Sequence, residues 1–161
     1  GMTQAQITAF NLILRLMLAW VFLYAASRQV FNPGFSVAGL VSRTTTSNPI
    51  FGWIADPAVA PIFSFLVAYG HLLVGLSLLL GLFFRLGGLV GAFLMMVYWL
   101  AHMDFPYIEG PQNLLIDYHV IYATVLVFLV LNRAGHSYGL DAMAGKFGFV
   151  ANRPWLQSLV T

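Results

Sequence analysis

Four histidines and five carboxylates are the side chains of this 161-residue chain best suited to move a proton or hold a polar ligand. His71 lies ten residues after Pro61, which is about 15 Å along a helix axis and therefore near the middle of a bilayer of roughly 30 Å. A titratable side chain at that depth costs at least roughly 2.5 kcal/mol, so it needs a partner or a purpose. His71 is therefore either a hydrogen-bond partner or proton acceptor for a ligand between helices, or a neutral imidazole bonded to a neighbouring helix. The candidate structural partners are Ser27, Ser77, Tyr98 and Tyr122.

A second group of polar residues lies near the ends of the predicted helices on the outer side of the membrane. Its members are Arg28, His102, Asp104, Glu109, Asp117 and His119. Asp117 and His119 are two positions apart, so on one continuous helix they point to nearly opposite faces and do not act together on one ligand. One interpretation is a proton-handling site to which Asp117 and His119 contribute separately. The alternative is a solvated rim in which Arg28 balances Asp117.

Aromatic and small residues on one apolar segment would suit a flat ligand. Gly87 and Gly91 allow close approach of helices, and Tyr98 and Trp99 beside them would line a flat apolar slot. Helix packing accounts for the same residues and is the simpler interpretation.

His102 and His119 would also suit haem ligation by two imidazoles from facing helices. Both lie near the ends of their apolar segments, however, so haem is disfavoured.

The composition indicates which solvent surrounds these residues. The chain is 60% hydrophobic and 7% charged, with a mean hydropathy of +0.86, whereas a soluble domain carries roughly a quarter charged residues. This composition predicts a membrane protein in contact with lipid, and the net charge of +2 is too diffuse to indicate nucleic acid. Because the chain has no cysteine, it offers no disulfide, thiolate zinc site or iron–sulfur cluster. Redox chemistry would require an organic cofactor, a haem or a histidine–carboxylate metal site.

Long uncharged runs predict the elements that must position the candidate residues. An all-α bundle of four transmembrane helices in a single domain is expected, because the runs exceed any ordinary strand and lack the alternation of a barrel. The predicted spans are about residues 10–31, 61–84, 86–102 and 113–131, with the chain folding back at Arg85. An interfacial loop over residues 32–60 is a candidate lid, and the tail at 133–161 is expected to hold an interfacial helix.

The distribution of Lys and Arg predicts the orientation. With four spans, both termini share one side with Arg85, Arg133, Lys146 and Arg153. The opposite side carries Arg28 and Arg43 only. The positive-inside rule then predicts that both termini are cytoplasmic.

The chain resembles the DoxX/DoxD family in the order and spacing of several short stretches. They are residues 14–16, 71–76, 80–85, 113–119 and 135–141. The last two are most similar to the DoxD branch, the small membrane subunit of thiosulfate:quinone oxidoreductase.

The resemblance implies a prokaryotic cytoplasmic-membrane protein that helps pass electrons from thiosulfate to quinone, with a DoxA-like partner as a separate chain. Quinone would meet His71 or His102, with Tyr98 and Trp99 beside it, and a nearby imidazole or carboxylate would supply protons. Arg28 and Arg43 would attract the thiosulfate anion. The alternatives are a non-enzymatic module that scaffolds a redox enzyme and a small transporter or lipid-binding bundle, and each of them is compatible with a homo-oligomer.

Overall fold

The computed structural model describes residues 1–102, 105, 109–110 and 113–160, and helices dominate it. The long helices are α1 (Gln4–Val30), α4 (Ala60–Leu80), α5 (Phe84–Leu100) and α6 (Tyr118–Leu131). Short helical turns between α1 and α4 are α2 (Ala38–Val41), α3 (Asn48–Phe51) and a 3-10 turn at Gly52–Ala55. Those after α6 are a 3-10 turn at Ala134–His136, α7 (Asp141–Ala144), α8 (Gly148–Ala151) and α9 (Pro154–Leu159). Two antiparallel two-residue strands, β1 (Glu109–Gly110) and β2 (Asn113–Leu114), precede α6.

The lengths of these helices support a membrane bundle. Helices α1 and α4 have 27 and 21 residues and are long and apolar enough to cross a bilayer. Helices α5 and α6 are apolar but have 17 and 14 residues, so α6 extends about 21 Å against a hydrocarbon core of roughly 30 Å. The predicted all-α bundle is confirmed, and the predicted count of four spans stays a prediction.

Two helix boundaries differ from the sequence-based expectation. Helix α6 begins at Tyr118, five residues later than expected, because Asp117 has an extended backbone and its side chain accepts a hydrogen bond from the His119 N–H as an N-cap. The reversal between α4 and α5 occurs at Gly81, whose φ of 61° lies in the left-handed region. Arg85 therefore lies within α5 and not in the turn.

Small residues bring the long helices into close contact, as expected. Helix α1 packs mainly on α4, and α5 mainly on α6. A Cβ at Gly75 would lie 2.7 Å from the Leu23 side chain, and one at Gly88 would lie 2.5 Å from the side chain of Val130. The apolar core between the four helices includes Phe22, Leu78, Leu126 and Leu129, all fully buried.

The segment between α1 and α4 packs on the end of α4. Val37, Val41 and Ile54 form a small apolar cluster against that helix, and the Ser64 hydroxyl accepts a hydrogen bond of 3.0 Å from the Val37 N–H. The segment is thus held against the N-terminal end of α4.

The tail differs from the single interfacial helix expected. It forms three short helices, α7 to α9, which are separated near Gly145 and before Pro154. Its apolar residues Ala144, Val150, Leu156 and Val160 pack together with Leu82 and Phe83 from the α4–α5 turn.

A buried polar cluster fastens this tail to the helices. Arg15 of α1 is 1% exposed and donates hydrogen bonds of 2.8 Å from Nη1 to the carbonyl oxygens of Ala134 and Ser137. The Asp141 carboxylate accepts hydrogen bonds from the backbone N–H groups of Phe83 and Phe84 at 2.7 and 2.9 Å. Burial raises the pKa of the Asp141 carboxyl, while the two N–H groups, His136 and Arg15 act to lower it.

Candidate functional site

Two histidines and a tyrosine share a cavity between the long helices. This cavity has a volume of about 200 Å³ and is called the ring cavity below. It is lined by Val21, Phe22, Ala25, Gln29, His71, Met95, Tyr98, Tyr118 and His119. An apolar cavity of roughly 150 Å³ admits benzene, so the ring cavity has room for one six-membered ring with small substituents.

His71 reaches the cavity from α4 with one ring nitrogen already engaged. It is 4% exposed, and Nδ1 lies 2.8 Å from the carbonyl oxygen of Val67, one turn earlier on the same helix. A carbonyl oxygen only accepts hydrogen bonds, so Nδ1 carries the proton and Nε2 keeps its lone pair in the neutral ring. None of the polar side chains expected as structural partners of His71 forms a hydrogen bond with it in the described part of the chain.

Asp117 and His119 form a bonded pair at the start of α6. Nδ1 of His119 lies 2.9 Å from Oδ2 of Asp117, and the His119 N–H donates to Oδ1 at 3.0 Å. The expectation that these two side chains cannot act together is wrong, because Asp117 lies outside the helix as its N-cap and can turn toward His119. The expected balance between Arg28 and Asp117 is also wrong, since Asp117 is buried against His119 and Arg28 is exposed.

Tyr98 of α5 lies between the two imidazoles. Its ring is stacked on His119 with centroids 5.6 Å apart and an interplanar angle of 8°. It meets His71 edge-on at 5.7 Å. The His71 ring also lies 5.7 Å from Phe22 of α1. These contacts give the cavity aromatic walls from four helices, which suit a planar ligand.

Gln29 adds a buried polar group beside Tyr98. Its side-chain oxygen Oε1 is buried and has no donor at close hydrogen-bond distance among the described residues, while the Gln29 side chain interacts with the Tyr98 hydroxyl. Gln29 also lines the ring cavity. A ligand with an O–H or N–H group in the cavity would give Oε1 a closer donor.

A wide apolar groove adjoins the ring cavity. It lies between α1 and α6, has a volume of about 680 Å³ and is lined by Leu14, Leu16, Met17, Leu18, Trp20, Val21, Ile121, Tyr122 and Val125. Val21 lines both the groove and the ring cavity. Trp20 and Met17 are largely exposed on its outer side, so in a bilayer the groove faces lipid.

Several residues predicted for the site do not line the ring cavity. Trp99 donates from Nε1 to the Leu115 carbonyl at 2.9 Å and so fastens the end of α5 to the segment before α6. His102 is half-buried and Arg28 is exposed. Arg43 is also exposed, and its Nε donates to the Gly39 carbonyl of its own segment at 2.8 Å.

The candidate lid lies away from the ring cavity. No residue of the 32–60 segment lines the ring cavity. Asp104 and the side chain of Glu109 lie outside the described residues.

Phe22, Gln29 and Tyr118 belong to the site but are absent from the sequence-based set. The buried positions of α1 include 11, 15, 18, 22 and 26, a spacing of three or four residues that marks one helix face. Continuing that face by three residues reaches Gln29 and passes over Arg28. This spacing was the sequence signal for Gln29. The charge of Arg28 instead favoured the neighbouring position, which is exposed.

The arrangement can accept and return protons beside a planar ring. In the neutral state His71 and His119 each keep an Nε2 lone pair, and Gln29 contributes a carbonyl oxygen. When protonated at Nε2, either ring donates instead, and Asp117 stabilises that positive charge on His119. The Tyr98 hydroxyl can donate or accept.

Comparison with known proteins gives a family match. The DoxX family model matches residues 10–103, more than half of the chain. The match includes Gln29, His71 and Tyr98, and ends before Asp117. No curated protein and no solved structure matches the chain.

Proposed function

The chain belongs to the DoxX family, and from this membership and the geometry of the ring cavity we propose a quinone-binding function. In this proposal the protein is a DoxD-like membrane subunit that helps pass electrons from thiosulfate to membrane quinone. The observation that carries the proposal is the placement of Tyr98 between two imidazoles whose Nδ1 atoms are both engaged.

The ring cavity fits a quinone head in size and polarity. Its volume of about 200 Å³ suits one substituted ring, and Phe22 and Tyr98 supply aromatic contact. The hydroxyl groups of the reduced ring would find acceptors at Gln29 Oε1 and the imidazole Nε2 atoms. The carbonyl groups of the oxidised ring would find donors at the Tyr98 hydroxyl and at a protonated imidazole. The α1–α6 groove would take an apolar tail, since it opens to lipid and meets the cavity at Val21.

Proton supply is the chemical task that the chain's own residues perform. Reduction of a quinone to a quinol takes two electrons and two protons. His119 delivers a proton from Nε2 while Asp117 holds Nδ1–H and keeps the ring oriented. His71 acts in the same way, with the Val67 carbonyl holding its Nδ1–H.

The donor side of the reaction is assigned to a partner. The chain has no cysteine, and Arg28 and Arg43 lie outside the lining of the ring cavity. We therefore place thiosulfate oxidation on a DoxA-like chain. Arg28 and Arg43 attract the anion toward that complex.

Replacement of His71 by leucine tests quinone binding. Leucine keeps approximate bulk but removes both ring nitrogens, so His71→Leu should weaken binding of a short-tail quinone analogue at least tenfold. We expect the melting temperature in detergent to change little, because His71 bonds a carbonyl of its own helix and even an interhelical hydrogen bond in a membrane contributes only roughly 0.6 kcal/mol on average. Equilibrium dialysis and thermal denaturation on the same preparation measure both quantities.

His102→Leu is the matched control, since His102 does not line the cavity and the same atoms are removed. Its affinity should equal that of the unaltered protein. Unchanged affinity in His71→Leu would remove His71 from the site, and equal losses in both variants would argue against a specific cavity.

Addition of thiosulfate separates the two parts of the proposal. Reduction of the bound analogue, followed by its ultraviolet absorbance, should require the co-purified partner. Reduction by the isolated chain would overturn the assignment of the donor side. Binding with no reduction by the native complex would reject the thiosulfate reaction and leave a quinone-binding module.

A further inference from the structure

A second groove lies at the tail end of the bundle, away from the ring cavity. It has a volume of about 440 Å³ and is lined by Arg85, Leu89, Val130, Leu131 and Arg133, and it is called the arginine groove below. Arg85 and Leu89 are one turn apart on α5, while Val130 and Leu131 end α6. The groove therefore runs along the interface of α5 and α6, with the guanidinium groups at its end nearest the tail.

The groove has the polarity of an amphiphile site. Leu131 is 80% exposed and Leu89 is 45% exposed, so apolar side chains face outward beside two cations. Arg85 lies at the beginning of α5, and Arg133 lies just after the end of α6. Both are on the side that the positive-inside rule assigns to the cytoplasm. Basic grooves between helices on that side suit anionic headgroups, and the apolar wall suits an acyl chain.

The arrangement of neighbouring charge favours an anion. Asp141, the acid of α7, is buried and both of its oxygens accept hydrogen bonds from Phe83 and Phe84. Its charge is thus directed into the protein. Arg85 Nη1 lies 3.4 Å from the Ser158 carbonyl, and Arg133 Nη2 lies 3.5 Å from Nε2 of His136. Both are long contacts, and each guanidinium has five N–H donors.

We propose that the arginine groove binds an anionic phospholipid, with the phosphate between Arg85 and Arg133 and one acyl chain along Leu89, Val130 and Leu131. The occupant is a membrane lipid held at the cytoplasmic side. The site is independent of the ring cavity, since the two share no lining residue.

Native mass spectrometry of the full chain tests this site with phosphatidylglycerol and phosphatidylcholine as probes. The unaltered protein should retain phosphatidylglycerol in preference to phosphatidylcholine. Each arginine near an anionic headgroup strengthens binding about fivefold, so the double variant R85Q/R133Q should lose about 30-fold in affinity. R85K/R133K keeps the charges and should retain most of the binding.

Two further variants separate the groove from general charge. R28Q/R43Q removes the same charge from the opposite side and should bind phosphatidylglycerol like the unaltered protein. L89W fills the groove without a change of charge and should weaken retention of the lipid. Both changes are at exposed positions, and circular dichroism verifies the helix content.

Several results would overturn the proposal. These are equal retention of both lipids, an equal loss in R28Q/R43Q, and unchanged binding in L89W. Glycerol phosphate binding as tightly as phosphatidylglycerol would indicate an anion site without an acyl groove. A lipid-free dimer that dissociates in R85Q/R133Q would instead assign the groove to a second copy of the chain.

Discussion

At the scale of single residues, the two histidines of the ring cavity share one chemical arrangement. Each donates Nδ1–H to an oxygen that can only accept, the Val67 carbonyl for His71 and the Asp117 carboxylate for His119. The tautomer of each neutral ring is therefore fixed, and Nε2 is the nitrogen that gains or loses a proton. A histidine that served only to join helices would more simply bond a neighbouring helix, whereas His71 bonds a carbonyl of its own helix.

Asp117 has two roles that mutation can separate. It caps α6 through Oδ1 and orients His119 through Oδ2. Asn is as good an N-cap as Asp, but its amide group can also donate to Nδ1 and so admit the wrong tautomer. We expect Asp117→Asn to keep stability within about 1 kcal/mol and to lower the rate of quinone-analogue reduction by the native complex at least tenfold.

Asp117→Ala is the companion variant, because it loses the cap as well. It should lower the free energy of unfolding by about 0.5–2 kcal/mol in addition to the loss of rate. If Asp117→Asn reduces the analogue at the normal rate, the carboxylate serves only as a cap.

The Asp117–His119 pair also marks a limit of sequence reasoning. On a continuous helix, residues two apart diverge, and the sequence alone predicted a helix from about residue 113. Asp before an apolar run is a known N-cap signal, and this signal places the beginning of the helix at Tyr118. The candidate role of each residue was predictable, but the contact between the two side chains depended on where α6 begins.

At the scale of elements, α1 carries polar residues on its buried face. Asn11 and Arg15 are buried, and Gln29 follows on the same face. Asn11 bonds the Asn132 amide at 2.6 Å and the Ser137 hydroxyl at 3.3 Å. The 3.6-residue period of this helix was predictable, whereas the partners of its polar residues come from a tail whose short helices have no strong sequence pattern.

Arg15 should be the main link between α1 and the tail. Its guanidinium donates to carbonyl oxygens of Ala134, Ser137 and Tyr138. Arg15→Met would remove this donor, and within the described part of the chain only the Ala134 carbonyl would keep a second hydrogen bond, from the Ser137 N–H. Since each buried acceptor left without a donor costs about 1–3 kcal/mol, we expect a large fall in the melting temperature. Arg28→Met, an exposed arginine of the same helix, should change stability by less than about 0.5 kcal/mol. Equal effects of the two variants would contradict the link.

Close backbone contact holds the tail against the α4–α5 turn, where the N–H groups of Leu140 and Asp141, next to Gly139, donate to the carbonyl oxygens of Leu80 and Gly81 at 3.0 and 2.8 Å. A Cβ at Gly139 would collide with the Gly135 carbonyl oxygen, and a backbone atom cannot move aside as a flexible side chain can. We expect Gly139→Ala to destabilise the protein by about 1–3 kcal/mol. Gly70→Ala is the matched control on α4, where a Cβ meets nothing within 4 Å, and it should be stabilising by roughly 0.5–1 kcal/mol. Thermal denaturation of both variants in one detergent measures the difference.

At the scale of the whole molecule, composition predicted the solvent better than the number of spans. The scarcity of charge indicated lipid, and the long apolar runs indicated helices. Run length overstated α6, because residues 113–117 are apolar or uncharged apart from Asp117 yet form a strand and a cap. An apolar segment outside a helix has the same composition as one inside it, so hydropathy alone could not place that boundary.

The topology of the bundle depends on whether the short helices α5 and α6 cross the membrane, and three cysteine positions decide this. The chain has no cysteine of its own, and Thr45, Ile116 and Ser158 are all exposed. If α1, α4, α5 and α6 all span, single cysteines at Thr45 and Ile116 should react with an impermeant maleimide from outside intact cells. A cysteine at Ser158 should react only after the membrane is opened, since the tail side carries more basic residues. If α5 and α6 entered the membrane without crossing it, Ile116 would lie on the side of Ser158, and only the Thr45 variant would be labelled from outside.

Helix α6 is about 9 Å short of the roughly 30 Å hydrocarbon core, and local thinning of the bilayer accommodates such a mismatch at a cost of fractions of a kcal/mol per Å. We therefore expect Ile116 to be labelled together with Thr45, and labelling with Ser158 would reduce the protein to two spans.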